Sequence, residues 1–559
     1  MFSVTNRPPP LPLPDVGNIS QCAQDVRRVN TTSPVVKTFD EYVNNFDKLI
    51  IDLQRAGANL PRAYQDAAST PFISYLNSLG GWEFNRMFTG GPASQEEAFL
   101  MQIIPDIALA ILTSGETDSL TPSSRAFQEV ISDLYDGFLS GERRINQQTG
   151  RPIKPPDLEI LPPLVKWGNP EAGPYTLPID VTSRLGLKVG VVSLPPAFAQ
   201  GGLVGWAALG HETAGHDVAH ADVGLLDEVR QRIYSAVCRN FGSMSLAHYW
   251  AQCTDESLSD VCGCLHMGPA AGIGLIALFR GLMPDGKLRS HGGIDDPRPI
   301  DVLRTFLSAG VIAGSYFQGR AAWNEVIASE GIKDIRNLTL VTREGYAVPF
   351  PADVNTAIRS AYVVADTIAN SKLQSLEGHS LRDIKDWTDA DQAITDALGQ
   401  AIRTGARLPQ AYRGDGIFAA HAVAAATLES VKSGANVQTI FNRMIPMLDE
   451  MHNGNAQWRQ ERQTQALAQQ ERAAAELEMV PWRHMPGIGT ISVPLYPQSR
   501  PGHYLAPRQP TESARMRSRT LPATFAGTRP YPVSFGTRTG SQVRNPSTRQ
   551  ATRPSTAYA

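Results

Sequence analysis

The stretch His211-Glu212-Thr213-Ala214-Gly215-His216, read with Asp255-Glu256-Ser257-Leu258-Ser259-Asp260 downstream, decides how this chain is read. Together the two segments hold two imidazoles and a carboxylate able to join them as a third metal ligand. They also hold a free carboxylate beside the first imidazole and an acid able to orient a ligand. A catalytic zinc site needs this inventory, because three protein ligands leave one coordination position open.

The spacing is irregular. The common zinc-protease helix carries H-E-x-x-H, with its histidines at i and i+4 on one face. Here the second histidine comes at i+5. At about 100° per residue, i+5 lies about 140° around a regular helix from i, so the two imidazoles would point apart. One extra residue taken up as a π-bulge brings them back together. Gly215 sits where that insertion falls, and glycine tolerates unusual backbone angles. Glu256 and Asp260 are one helical turn apart and share a face. Glu256 can ligate a metal, and Asp260 can accept a hydrogen bond from the outer nitrogen of a ligating histidine. His216 and His220 form the regular i, i+4 pair and are alternative ligands. The set His211, His216 and Glu256 is preferred, with His220 on the surface or beside the ligands. Asp217 and Asp222 read as exposed helix acids.

The two motifs resemble those of the gluzincin metallopeptidases. Thermolysin-like members carry N-E-x-x-S-D as their second motif, and this chain differs only in having Asp255 at the first position. The widened H-E-x-x-G-H is similar to that of the dipeptidyl peptidase III family. The resemblance covers about residues 189–304. It implies a Zn2+ site with His211, His216 and Glu256 as ligands, Asp260 beside them and Glu212 as general base. Tyr249 corresponds to a tyrosine that thermolysin-like enzymes place before the glutamate helix, which implies an oxyanion donor; core packing beside Trp250 is the alternative. The segment from His291 to Arg304 is loosely similar to an H-P…R segment. It nominates His291 as a catalytic group and Arg304 as a substrate contact; His248, beside Tyr249 just before the glutamate helix, is a further candidate substrate contact. The β-branched run 187–194 reads as a strand before Pro195-Pro196. In gluzincins an edge strand precedes the active-site helix and binds substrate by strand addition. The active-site helix is expected over 203–226, after the Gly201-Gly202 breaker.

Five cysteines, odd in number and sparsely spread, do not form a disulfide framework. They read as buried small apolar groups, and Cys262-Gly263-Cys264 lacks the C-x-x-C spacing of a thiolate zinc site. The apolar fraction of 42% supplies ample core. The N-terminus has no apolar signal core, so cytoplasmic residence is expected, with signal-free export left open. The longest uncharged apolar-leaning run, 261–279, reads as a buried continuation of the glutamate helix, and no membrane span is expected.

Charge is unevenly spread. From Arg483 onward, eleven arginines face one acid, Glu512, which makes the tail +10 and leaves −13 on the rest of a chain whose total is −3. Such a Pro/Ser/Thr-rich basic tail is expected to be disordered and suited to acidic surfaces. Nucleic acid is not expected as a partner, since no nucleic-acid fold motif accompanies it.

The expected fold is mainly α with a small β edge element: a gluzincin-like core flanked by helical domains and disordered termini. Residues 1–36 are Pro-rich and irregular. A helical domain covers 37–148 and a Pro/Gly-rich linker 149–177. The catalytic region is 178–328, with a short β excursion near 338–348. A mostly helical domain spans 329–479, including an exposed helix over 458–478, and the tail is 480–559. The function expected is zinc-dependent hydrolysis of a peptide bond in a peptide or protein substrate. A non-catalytic, metal-stabilised binding or scaffold protein and a zinc hydrolase of a non-peptide bond stay open beside it.

Overall fold

The computed structural model describes residues 12–455 except 30, 32, 33, 35, 116–119, 141–143, 159–160, 169–172 and 414–416. The expected tail and the helix over 458–478 lie outside the described residues. What is described is mainly helical, with two small three-stranded sheets.

The first sheet sets the position of the site. It consists of β1 (Leu164–Trp167), β2 (Tyr175–Leu177) and β3 (Val191–Leu194), in the order β1-β3-β2. Side chains alternate across a sheet, and here the two faces enter different cores. Val165, Trp167, Val192 and Leu194 join the large core that contains the histidine motif. Leu164, Leu177 and Val191 join a second core, built from the helices between Phe46 and Gly115. Burial on both faces explains why the adjacent residues Val191 and Val192 are both apolar, with no polar alternation between them.

β3 pairs in parallel with β1 and antiparallel with β2. It is therefore the central strand, and both of its edges are occupied. The expectation that residues 187–194 form an edge strand for substrate is corrected. The outer strand beside the histidine motif is β2, which falls in the stretch expected to be a linker.

The expectation of irregular chain over residues 1–36 is also corrected, since Ile19–Val29 is a helix. Ile19, Cys22, Val26 and Val29 form its buried stripe, at the spacing of one helical face. That face packs on the helix Pro269–Leu282, where a Cβ on Gly281 would lie 2.7 Å from the Ala23 carbonyl oxygen. The run 261–279 is also broken. Thr254–Met267 and Pro269–Leu282 are separate helices, joined at Gly268, which has φ +56° and packs on the Trp387 ring. The β excursion is present: β4 (His291–Gly293), β5 (Thr339–Val341) and β6 (Ala347–Pro349) form the second sheet. One helix among the described residues, Gln95–Gly115, is long and apolar enough to cross a membrane, and 56% of its most apolar window is buried in the protein. All five cysteines are free thiols, four of them buried.

Candidate metal centre

The 3-10 turn Leu203–Ala208 leads into the histidine helix, which runs Leu209–His211, Glu212–Asp217 and Val218–Ala221. Its middle segment is a π-helix, as the i+5 spacing predicts. The helix ends at Ala221, short of the expected 226, because Asp222 turns to extended backbone. The widened turn places the His211 and His216 rings 4.9 Å apart, nearly perpendicular.

The glutamate helix, Thr254–Met267, carries Asp255 and Glu256 in its first turn, where the helix dipole favours negative charge. Glycines set how closely it approaches the histidine helix. A Cβ on Gly215 would lie 2.3 Å from the Ser259 Cα, and Gly210 and Gly263 face each other with their would-be Cβ atoms 3.2–3.3 Å from opposing backbone. Gly215 is thus required by the close approach and not by a left-handed backbone, since its φ is not positive. This approach brings the Glu256 carboxylate 3.4 Å from the His211 Nε2.

Ligand-type atoms of His211, His216 and Glu256 lie within 4.8 Å of one another, and all three residues are buried. Their relative exposures are 2%, 3% and 3%. The Nε2 atoms of both histidines, Oε2 of Glu256 and Oε1 of Glu212 are buried without a hydrogen-bond partner. Orphaned buried polar atoms are costly in a native protein. Two imidazole nitrogens and a carboxylate oxygen converging in this way fit a divalent zinc ion, which binds imidazole in its neutral form.

The outer nitrogens are all engaged. His211 Nδ1 meets Asp260 at 2.9 Å, and His216 Nδ1 meets Asp255 at 3.0 Å. Asp260 in turn accepts two hydrogen bonds from Arg304, at 2.7 and 2.8 Å. Arg304 is buried, lies over the Phe279 ring and sits 3.5 Å from Glu256. Carboxylates on the outer nitrogens fix the tautomers and orient the inner ones toward a common point. Burial alone would lower the His211 pKa, but Asp260 and Glu256 outweigh it and raise it to about 10. Burial opposes ionisation of Asp260, yet Arg304 and His211 hold it down at about 2. Glu256 is likewise lowered against burial, by His211 and Arg304.

Glu212 is fully buried. Its Oε2 accepts a hydrogen bond from the Thr176 hydroxyl at 2.9 Å, which leaves Oε1 free. Burial raises its pKa, against the pull of the two histidines and Thr176. That is the direction a general base acting near neutral pH requires.

Other residues nominated from the sequence lie elsewhere. Tyr249 is buried, accepts the Ile300 amide at 2.9 Å and packs edge-on against Trp250 and Phe350. His248 is exposed, against the Tyr234 ring. His291 is exposed on β4. Arg304, by contrast, lies at the site, where it is engaged with Asp260 and supports His211. His220 is not in the ligand group; it bridges Asp180 at 3.1 Å and Asp255 at 3.3 Å. Asp217 and Asp222 are buried and not exposed, and Asp222 pairs with Arg144 at 2.6 Å.

Two further partners of the site were not nominated for it from the sequence. Thr176 sits in a three-residue strand with no local motif. Asp255 reads there only as a departure from the family pattern, though an acid within one turn of the ligand glutamate is itself a signal. No protein-family model, curated protein or solved structure gives a significant match to this chain.

Proposed function

We propose that the protein is a zinc-dependent hydrolase of gluzincin type acting on peptide bonds. His211, His216 and Glu256 would hold the ion. When bound, zinc acidifies water and polarises a carbonyl group. The chain's own residues carry the rest. Thr176 holds one oxygen of Glu212 and leaves the other free to take the water proton and return it to the leaving amine. Asp260, Arg304 and Asp255 keep the imidazoles oriented.

The observation that carries this reading is the free Oε1 of Glu212 beside the ligand group. A purely structural site has no use for a buried base with a raised pKa. The experiment is Glu212→Gln, assayed on a peptide library with zinc content measured in parallel. Cleavage should fall by at least about 100-fold, the scale of general-base catalysis, with zinc retained. Undiminished cleavage with normal zinc would refute the assignment.

One observation favours a second reading. All three ligands are buried to 3% exposure or less, which suits a metal that holds a scaffold together. In that case Glu212→Gln alters no activity, while zinc removal lowers the melting temperature.

A further inference from the structure

A pocket of about 440 Å³ lies between the segment Met283–His291 and the stretch Arg336–Thr339. None of the proposed metal ligands lines it. Lys287, His291 and Arg336 line it, and all three are exposed. None of these three side chains has a carboxylate partner among the described residues.

Two acids nearby are already held by arginines. Asp301 takes both guanidinium contacts of Arg289, at 2.7 and 2.8 Å. Asp334 is held by Arg280 at 2.7 Å and accepts the Leu288 amide. Asp285, the one acid on the lining, accepts only the Lys287 amide at 3.2 Å among the described residues, and its charge offsets one of the two full cationic charges while leaving the lining net positive. Arg27 reaches the same rim, donating to the Met283 carbonyl at 2.6 Å, with no carboxylate of its own among the described residues. A net positive balance in a concavity focuses an anion-attracting field. It does so here on a body that carries −13 without its tail, so the pocket runs against the general charge of the surface.

We propose that this pocket is a binding site for a phosphate-bearing ligand. Lys287 and Arg336 would contact phosphate oxygens, and His291 would donate from β4. Arg and Lys together suit phosphate, the first as a planar fork and the second as a point charge. A lone carboxylate would neutralise only one of the two full charges. The proposal is independent of the hydrolase reading, since it shares no residue with the metal centre.

The test is isothermal titration calorimetry of the full chain with inorganic pyrophosphate. Saturable 1:1 binding is expected, weakened at least tenfold in Lys287→Ala/Arg336→Ala and unchanged in Arg407→Ala, which removes an exposed charge elsewhere. His291→Gln alone should weaken it less, and it serves as the readout should the double variant fold poorly. Pyrophosphate also chelates metals, so the deciding result is the loss in variants whose metal ligands are intact. Wild-type affinity in both the double variant and His291→Gln would overturn the proposal. So would an absence of saturation, or tighter binding of citrate than of pyrophosphate.

Discussion

Replacing Gly215 by alanine tests whether the crossing of the two helices builds the site. The new Cβ would lie 2.3 Å from the Ser259 Cα, 2.4 Å from its Cβ and 2.7 Å from its Oγ. Carbon atoms sit comfortably at about 3.5 Å or more, so about 1.2 Å must be made up. The nearest atom is backbone and has no rotamer to escape into, so the helices themselves must separate. Overpacking a core costs about 1–3 kcal/mol, and the upper end or beyond is expected here. His216 is the next residue and Glu256 lies one turn from Ser259. Separation on this scale therefore exceeds the tolerance of about 0.5 Å within which a site must be held. The assays are urea unfolding of the metal-free protein and zinc affinity by competition with a chromophoric chelator. Gly215→Ala should lose about 3 kcal/mol and bind zinc at least tenfold more weakly. Adding Ser259→Gly should recover only part of the loss, because the clash with the backbone at residue 259 remains. Gly263→Ala, whose nearest neighbour would be 3.2 Å away, should cost under about 1 kcal/mol, a crowding the helices can absorb. If Gly215→Ala unfolds within about 0.5 kcal/mol of wild type, the range of neutral surface changes, and binds zinc normally, the close approach does not build the site.

Asp260→Asn and Asp255→Asn should differ in kind. Both remove a carboxylate that orients a histidine and should weaken zinc binding about 10–100-fold. Asp260→Asn also strands the buried Arg304, so it should cost a further ~3–5 kcal/mol of stability, seen as a much lower midpoint in the metal-free protein. Proton linkage gives a third test. His211 is raised to about 10 in the metal-free fold, so at pH 7 it holds a proton that zinc must displace. Calorimetry in buffers of different ionisation enthalpy should show at least about one proton released per zinc. The same shift has a sign for stability. A histidine pKa raised on folding stabilises fully below its unfolded value of about 6.5. The metal-free protein should therefore lose stability as pH rises from there through about 10.

The π-turn and the shared face of Glu256 and Asp260 were legible because each rests on spacing within one helix, whereas the meeting of the two motifs, with Asp260 on His211 across 49 residues, was legible only through the resemblance. The surroundings were less so. β1 and β2 are four and three residues long within a Pro/Gly-rich stretch, too short for a period to show. With them hidden, nothing in the sequence opposes the edge position that the resemblance implies for β3. Arg304 reaches Asp260 across 44 residues and Thr176 reaches Glu212 across 36, distances no local pattern spans. The helix Ile19–Val29 shows its apolar stripe plainly, but the prolines before it mask the signal.

The most direct measurement is the metal content of the purified protein by mass spectrometry, for wild type and His216→Ala, each after reconstitution with zinc. The account predicts about one zinc per chain in the wild type, the complement of one three-ligand site, and loss of it in the variant. A wild type that retains no zinc, or a His216→Ala protein that retains it fully, would contradict the account.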